Sequence, residues 1–138
     1  MKTNIESIAN VIAAAIWADG VYDESEKVTV EEIADALELD EVKFKTAVDS
    51  QVAVLENMTE NQVNAALLDA AEAVDDEEIG VVFESALQIL ISDNELTHAE
   101  INNMLVIADA LGIEAEDAIL MLVDLVKEEP ELEVNMEE

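Results

Sequence analysis

The chain lacks several residue types on which common classes of protein depend. None of its 138 residues is cysteine or arginine, and it has only three glycines, one proline and one histidine. The absence of cysteine excludes disulfide bonds, thiolate metal sites and a cysteine nucleophile. Scarce glycine and proline leave little turn material for a many-stranded β fold. A single histidine without a nucleophile motif cannot support a serine–histidine–aspartate triad.

Positive charge is also scarce. Five lysines stand against 35 acidic residues, which gives a formal net charge of −30. Direct binding of DNA or RNA requires clustered positive charge, so the sequence predicts no nucleic-acid contact. Anionic membrane surfaces are disfavoured for the same reason. The charge favours cations or a basic protein partner, or it serves solubility alone.

Long hydrophobic runs are absent as well. The longest wholly apolar run covers residues 11–18, which is too short to span a bilayer. The first ten residues, "MKTNIESIAN", contain an early acid and no long apolar stretch, so no secretory signal is expected. We therefore expect a cytoplasmic protein without a membrane-bound segment. The sequence does not indicate its oligomeric state.

What the chain does have is apolar residues at helical spacing. They make up 51% of the sequence and recur at intervals of three and four almost throughout. This pattern predicts an all-α fold, a single compact bundle of about seven helices with no β-sheet. The bundle is expected to span residues 1–128, and residues 129–138 form an acidic C-terminal tail that is expected to fray. The predicted helices cover 4–18, 24–38, 41–56, 60–75, 77–91, 98–111 and 115–128.

Two further patterns refine this prediction. The seventh helix, which contains "AILMLVDLV", is apolar nearly all round, and such a helix is expected at the centre of a bundle. Helix starts are marked by capping-box spacing, in which a side chain accepts a bond from the third helical N–H and the third side chain reaches back. Pairs with this spacing are Asp23 with Glu26, Thr59 with Gln62, and Thr97 with Glu100.

An internal repeat links two parts of the chain. Residues 15–40 align without a gap to residues 89–114, an offset of 74 positions, and "IADAL" recurs unchanged. The repeat predicts a duplicated helix–turn–helix unit, with residues 5–38 superposing on 79–112. Equivalent turn positions carry Asp19 and Asp93, Gly20 and Asn94, and Glu26 and Glu100.

Both repeated turns are acidic and are candidate metal sites. Hard cations such as Ca²⁺, Mg²⁺ and Mn²⁺ prefer several oxygen ligands, which a turn can bring together. The spacing is not that of an EF-hand loop. A structural explanation also stands, because acids at helix starts cap the helix and favour its positive end. The candidate ligands are Asp19, Asp23 and Glu26 in the first turn, and Asp93, Glu95 and Glu100 in the second.

The same turns carry a family resemblance. The stretch "IWADGVYDESE", together with "ISDNELTHAE" and the later "IADALGI", resembles the TerB family of tellurite resistance. The resemblance spans roughly residues 5–125. It implies a compact all-helical domain that is not an established enzyme and is associated with stress response and divalent metals. The second copy departs from the pattern, because Asn94 replaces glycine and Thr97 and His98 replace Asp23 and Glu24.

Three classes of function follow from these observations. The preferred hypothesis is a non-enzymatic TerB-like domain that binds divalent cations through its acidic turns. The second is an acidic protein-interaction module that docks a basic partner. The third, with least support, is an acid-rich hydrolase that uses a bound metal.

Overall fold

Alanine, leucine and glutamate are good helix formers, and the computed structural model is helical along most of its length. It describes residues 4–19, 24–90, 95–128 and 133–135. Seven helices within these ranges confirm the predicted all-α bundle. They are α1 (Ile5–Asp19), α2 (Glu24–Ala36), α3 (Glu41–Leu55), α4 (Glu60–Glu72), α5 (Ile79–Leu90), α6 (His98–Leu111) and α7 (Ala115–Glu128).

Side-chain oxygens cap at least three of the helix starts. Before α1, Asn4 Oδ1 accepts from the Glu6 N–H (2.8 Å). Before α4, the Thr59 hydroxyl accepts from the Gln62 N–H (3.3 Å) and the Gln62 side-chain oxygen accepts from the Thr59 N–H (2.9 Å). This confirms the predicted capping box. Before α3, Asp40 accepts from the Lys43 N–H (3.1 Å), a cap that was not among the predicted ones. Asp23 lies outside the described residues, and the structure does not describe the Thr97 side chain.

The predicted duplication recurs in the helix bounds. Helices α1, α2 and α3 start at residues 5, 24 and 41, and α5, α6 and α7 start at 79, 98 and 115, each 74 positions later. The repeat therefore covers three helices rather than the predicted two. Helix α4 connects the copies. Packing also follows a twofold pattern, because α1 packs on α5 and each of these two helices contacts the second helix of the other copy.

The C-termini of α2 and α6 repeat the same hydrogen-bonded end. Glu38 and Gly112 both have a positive φ, of 57° and 80°. In each copy the following N–H donates to a carbonyl five residues back, from Leu39 to Ala34 and from Ile113 to Ala108, both at 2.8 Å. This is the Schellman arrangement, in which a left-handed residue ends the helix. Its recurrence fixes the alignment of the two copies independently of sequence identity.

Helix α1 is the central helix of the bundle. It packs against α3, α4, α5 and α6, and residues 11–16 are all buried. The prediction that the seventh helix lies at the centre is wrong. Helix α7 packs mainly against α6 and exposes Ile119, Leu120 and Val123. An apolar composition shows that a helix can be buried, but neighbouring helices decide which sides are covered.

The prediction of no β-sheet is also wrong in one detail. Strands β1 (Glu95–Thr97) and β2 (Glu133–Asn135) form a two-stranded parallel ladder. Strand β1 precedes α6 directly, and β2 lies in the acidic tail. Three tail residues are therefore paired, although the tail was expected to fray. None of the helices in the described part of the chain is long and apolar enough to cross a membrane.

Candidate functional site

The first acidic turn connects α1 to α2. Asp19 is the last residue of α1, and its side chain is not described. Asp23 lies outside the described residues. Glu26 is the third residue of α2, where the capping pattern predicts it. The structure thus places two of the three candidate ligands on the helices that flank this turn.

Glu26 differs from other acidic residues of α2 in its burial. Its side chain is 1% exposed, whereas Glu24 and Glu32 are exposed. Helical spacing puts Glu26 on the same side as Val30 and Ile33, which are buried against the core. Glu26 makes at least one noncovalent interaction of its own. A carboxylate is therefore the first side chain on the buried face of α2, at the end nearest the turn.

The second acidic turn connects α5 to α6. Asp93 lies outside the described residues. Glu95 is the first residue of β1 and pairs in register with Glu133 of β2. Glu100 is the third residue of α6, the position that Glu26 occupies in α2. The side chains of Glu95 and Glu100 are not described, so only their backbone positions can be compared with the first turn.

The described residues supply no complete metal centre. They contain no group of three or more histidine or acidic side chains placed to hold an ion. Of the six candidate ligands, only Glu26 has a described side chain. The metal-site prediction for Asp19, Asp23, Glu26, Asp93, Glu95 and Glu100 stays a prediction.

Two grooves that the sequence did not predict lie on equivalent parts of the repeat. The larger, of about 590 Å³, lies between α1 and α3, and the smaller, of about 190 Å³, lies between α5 and α7. Every described residue that lines the smaller groove has an equivalent, 74 positions earlier, in the larger one. The equivalent pairs are Asn10 and Glu84, Ala47 and Met121, Ser50 and Asp124, and Gln51 and Leu125.

An ion pair joins α2 to α3 on the outside of the first copy. Lys45 Nζ donates to Glu31 Oε1 at 3.1 Å, and both side chains are partly exposed. The hydrogen bond to Glu31, followed by its negative charge, holds the pKa of Lys45 above its usual 10.5. The pair helps to hold α3 against α2.

Comparison with known proteins gives no family assignment. No protein-family model, characterised protein or solved structure matches the chain. The resemblance to TerB therefore rests on the sequence motifs alone.

Proposed function

We propose that this chain is a non-enzymatic, TerB-like domain associated with stress or tellurite resistance, which binds a divalent cation at its acidic α1–α2 turn. A weaker second site is proposed at the α5–α6 turn. The proposed location is the cytoplasm. Support comes from the motif resemblance and, above all, from the burial of Glu26 beside the first turn.

Burial of a carboxylate is costly unless its charge is compensated. The penalty for burying an uncompensated ion is on the order of several kcal/mol. The noncovalent interaction that Glu26 makes offsets this penalty, and a bound cation would add to that compensation. Carboxylate oxygen is the ligand that Ca²⁺, Mg²⁺ and Mn²⁺ prefer, so Glu26 has suitable donor chemistry. Asp19 and Asp23 would add oxygens from the same turn, and Asp93, Glu95 and Glu100 are the candidates in the second.

The test compares cation and salt effects on thermal stability. We expect millimolar Ca²⁺, Mg²⁺ or Mn²⁺ to raise the Tm more than NaCl of equal ionic strength, because a ligand that binds only the folded state stabilises it. Asp19→Asn should remove that excess. Asp69→Asn is the matched control, because it deletes the same charge from an exposed position on α4. The control should keep the excess.

Two outcomes would reject cation binding. In the first, no cation shifts the wild-type Tm beyond the matched NaCl. In the second, capping explains the turn, so that Asp23→Ala costs about 1 kcal/mol of stability equally with and without cations.

Calorimetry then ranks the sites. The first turn should bind more tightly because Thr97 replaces Asp23 in the second, and fewer charged oxygens weaken binding of calcium-like ions.

A second candidate function is an acidic protein-interaction module that docks a basic partner. The exposed apolar residues of α7 favour it, because they stand among acids on a chain of net charge −30. A complex of this kind should survive a chelator and dissociate as salt is raised. A complex that is lost on chelation would instead favour the cation-binding function.

A further inference from the structure

The outward face of α7 carries three exposed apolar side chains. Ile119, Leu120 and Val123 are 46%, 62% and 41% exposed. Their helical spacing puts them on the side opposite the buried Ala118 and Leu122. Elsewhere among the described residues, large exposed apolar side chains occur at most twice on one helix. We call Ile119, Leu120 and Val123 the α7 face.

The repeat shows that the fold does not require apolar residues at these positions. Helix α3 carries Lys45, Thr46 and Asp49 at the equivalent places, 74 positions earlier. Thr46 and Asp49 are exposed, and Lys45 forms its ion pair with Glu31 on the outside of the bundle. The inward positions stay buried in both copies, as Phe44 and Ala118 illustrate. Packing therefore explains the inward side of α7 but leaves its apolar outward face unexplained.

At the four equivalent positions, the groove beside the α7 face carries larger apolar side chains and more acidic side chains than its counterpart. Met121 and Leu125 take the places of Ala47 and Gln51, while Glu84 and Asp124 replace a neutral asparagine and serine. Two more acids, Glu116 and Asp117, lie one helical turn before Leu120. We call Glu84, Glu116, Asp117 and Asp124 the acidic rim.

The negative charge of this surface indicates which kind of partner it can bind. A second copy of the chain would bring another net charge of −30 towards an acidic rim, and like charges oppose such an approach. An anionic membrane is disfavoured for the same reason. An amphipathic helix with lysine or arginine flanking its apolar stripe matches both features, and such helices dock through residues spaced three and four apart.

We infer that the α7 face binds a basic amphipathic helix of a partner protein. Apolar side chains of that helix contact Ile119, Leu120 and Val123, and its cations face the acidic rim. The inference rests on the second candidate function and names the surface and partner class that this function uses. It does not depend on cation binding at the turns.

The test uses the full chain and a synthetic leucine–lysine peptide. The peptide has leucine at positions i, i+3, i+4 and i+7 and is as long as α7, 14 residues. Fluorescence anisotropy at about 0.1 M salt gives its Kd. We expect Leu120→Thr combined with Val123→Thr to weaken binding about tenfold or more, because both changes remove apolar area that the peptide would bury. These changes leave the net charge unaltered, and Leu120→Thr installs the residue that α3 has at the equivalent position.

Val42→Thr is the matched control. Val42 is exposed on α3, away from the α7 face, and its replacement also leaves the net charge unchanged. We expect its Kd to stay within about twofold of wild type. NMR shift mapping on the unmodified chain gives a second measurement that does not depend on the variants folding. Shifts on α7 and around Glu84 support the inference, and shifts confined to other helices overturn it.

A scrambled peptide of the same composition separates the inference from the function on which it rests. If it binds as tightly as the amphipathic peptide, the α7 inference fails but an acidic interaction function stands. If neither peptide binds, both fail. Sedimentation tests whether a second copy of the chain, rather than a partner helix, occupies the α7 face. Wild-type dimers that Leu120→Thr dissociates would make a second copy the partner and overturn the inference.

Discussion

At the residue scale, the two repeat copies have different residues at the same left-handed helix end. Glu38 and Gly112 both adopt a left-handed conformation that ends a helix. The left-handed conformation costs a residue with a side chain about 1–2 kcal/mol, whereas it costs glycine almost nothing sterically. Glycine has its own cost, because it loses more backbone freedom on folding. The first copy therefore carries strain that the second avoids.

Substitutions at these two positions should change stability in opposite directions. Gly112→Ala should lower the free energy of unfolding by about 1 kcal/mol, because its φ of 80° disfavours a side chain although no atom lies near the added Cβ. Glu38→Gly should raise stability by up to about 1 kcal/mol. Urea unfolding measures both changes.

Gly80→Ala supplies a control of opposite sign to Gly112→Ala. Gly80 lies within α5, and its added Cβ also meets nothing nearby. Alanine should stabilise this helical site by about 0.5–1 kcal/mol. A loss of stability at Gly80 similar to that at Gly112 would show that backbone conformation does not cause the difference.

Single residues also show where sequence reasoning about the site stops. The capping pattern placed Glu26 in the first turn of α2, and the structure confirms that position. It gave no indication that Glu26 would be buried and Glu24 exposed, because burial depends on which helices pack against α2. Local spacing fixes a residue's place along a helix, whereas tertiary contacts fix its environment.

At the element scale, the sequence predicted helix starts better than helix ends. Five predicted starts agree with the structure to the residue, and the other two differ by one and two positions. Side chains mark starts through caps at fixed spacing. Ends depend more on the backbone. Helix α2 ends at Ala36 rather than at residue 38 because Glu38 adopts a left-handed backbone conformation. A glutamate in the sequence does not indicate that conformation.

The third helix of the repeat was missed for a related reason. Helices α3 and α7 keep their start, their buried inward positions and their place after a Schellman end, but they share almost no identical residues. Conserved burial leaves only a general apolar pattern, which all seven helices have. The β1–β2 ladder was missed because it joins two three-residue segments distant along the chain, and short strands carry little local pattern.

Two isoleucine substitutions test which helix is central. Ile12→Ala on α1 should cost about 2–5 kcal/mol, because Ile12 is fully buried and its truncation leaves a cavity. Ile119→Ala on α7 should change stability by no more than about 0.5 kcal/mol, since Ile119 is exposed. Chemical denaturation compares the two. A large loss at Ile119 would restore the central position that composition alone predicted for the seventh helix.

At the scale of the whole molecule, charge repulsion opposes the packed core. Lysine–carboxylate attraction, such as that between Lys45 and Glu31, offsets it locally. Because the folded-state pKa of Lys45 is raised, the pair stabilises the fold fully below about pH 10.5 and loses this effect as pH rises through the folded pKa. It is therefore intact at neutral pH. With five lysines against 35 acids, however, such pairs can neutralise only a minority of the carboxylates.

This imbalance predicts a simple response to salt. A net charge of −30 repels itself more strongly in the folded state, where the charges lie closer together than in the unfolded chain. At about 0.1 M ionic strength the Debye length is about 10 Å, which is short enough to screen most pairs across the surface. Moderate NaCl should therefore raise the Tm, with most of the increase complete near that concentration. KCl at equal ionic strength is the control, and should act equally if screening is the cause. A Tm that stays constant or falls from low to moderate NaCl would mean that repulsion between the surface acids does not limit the stability of this fold.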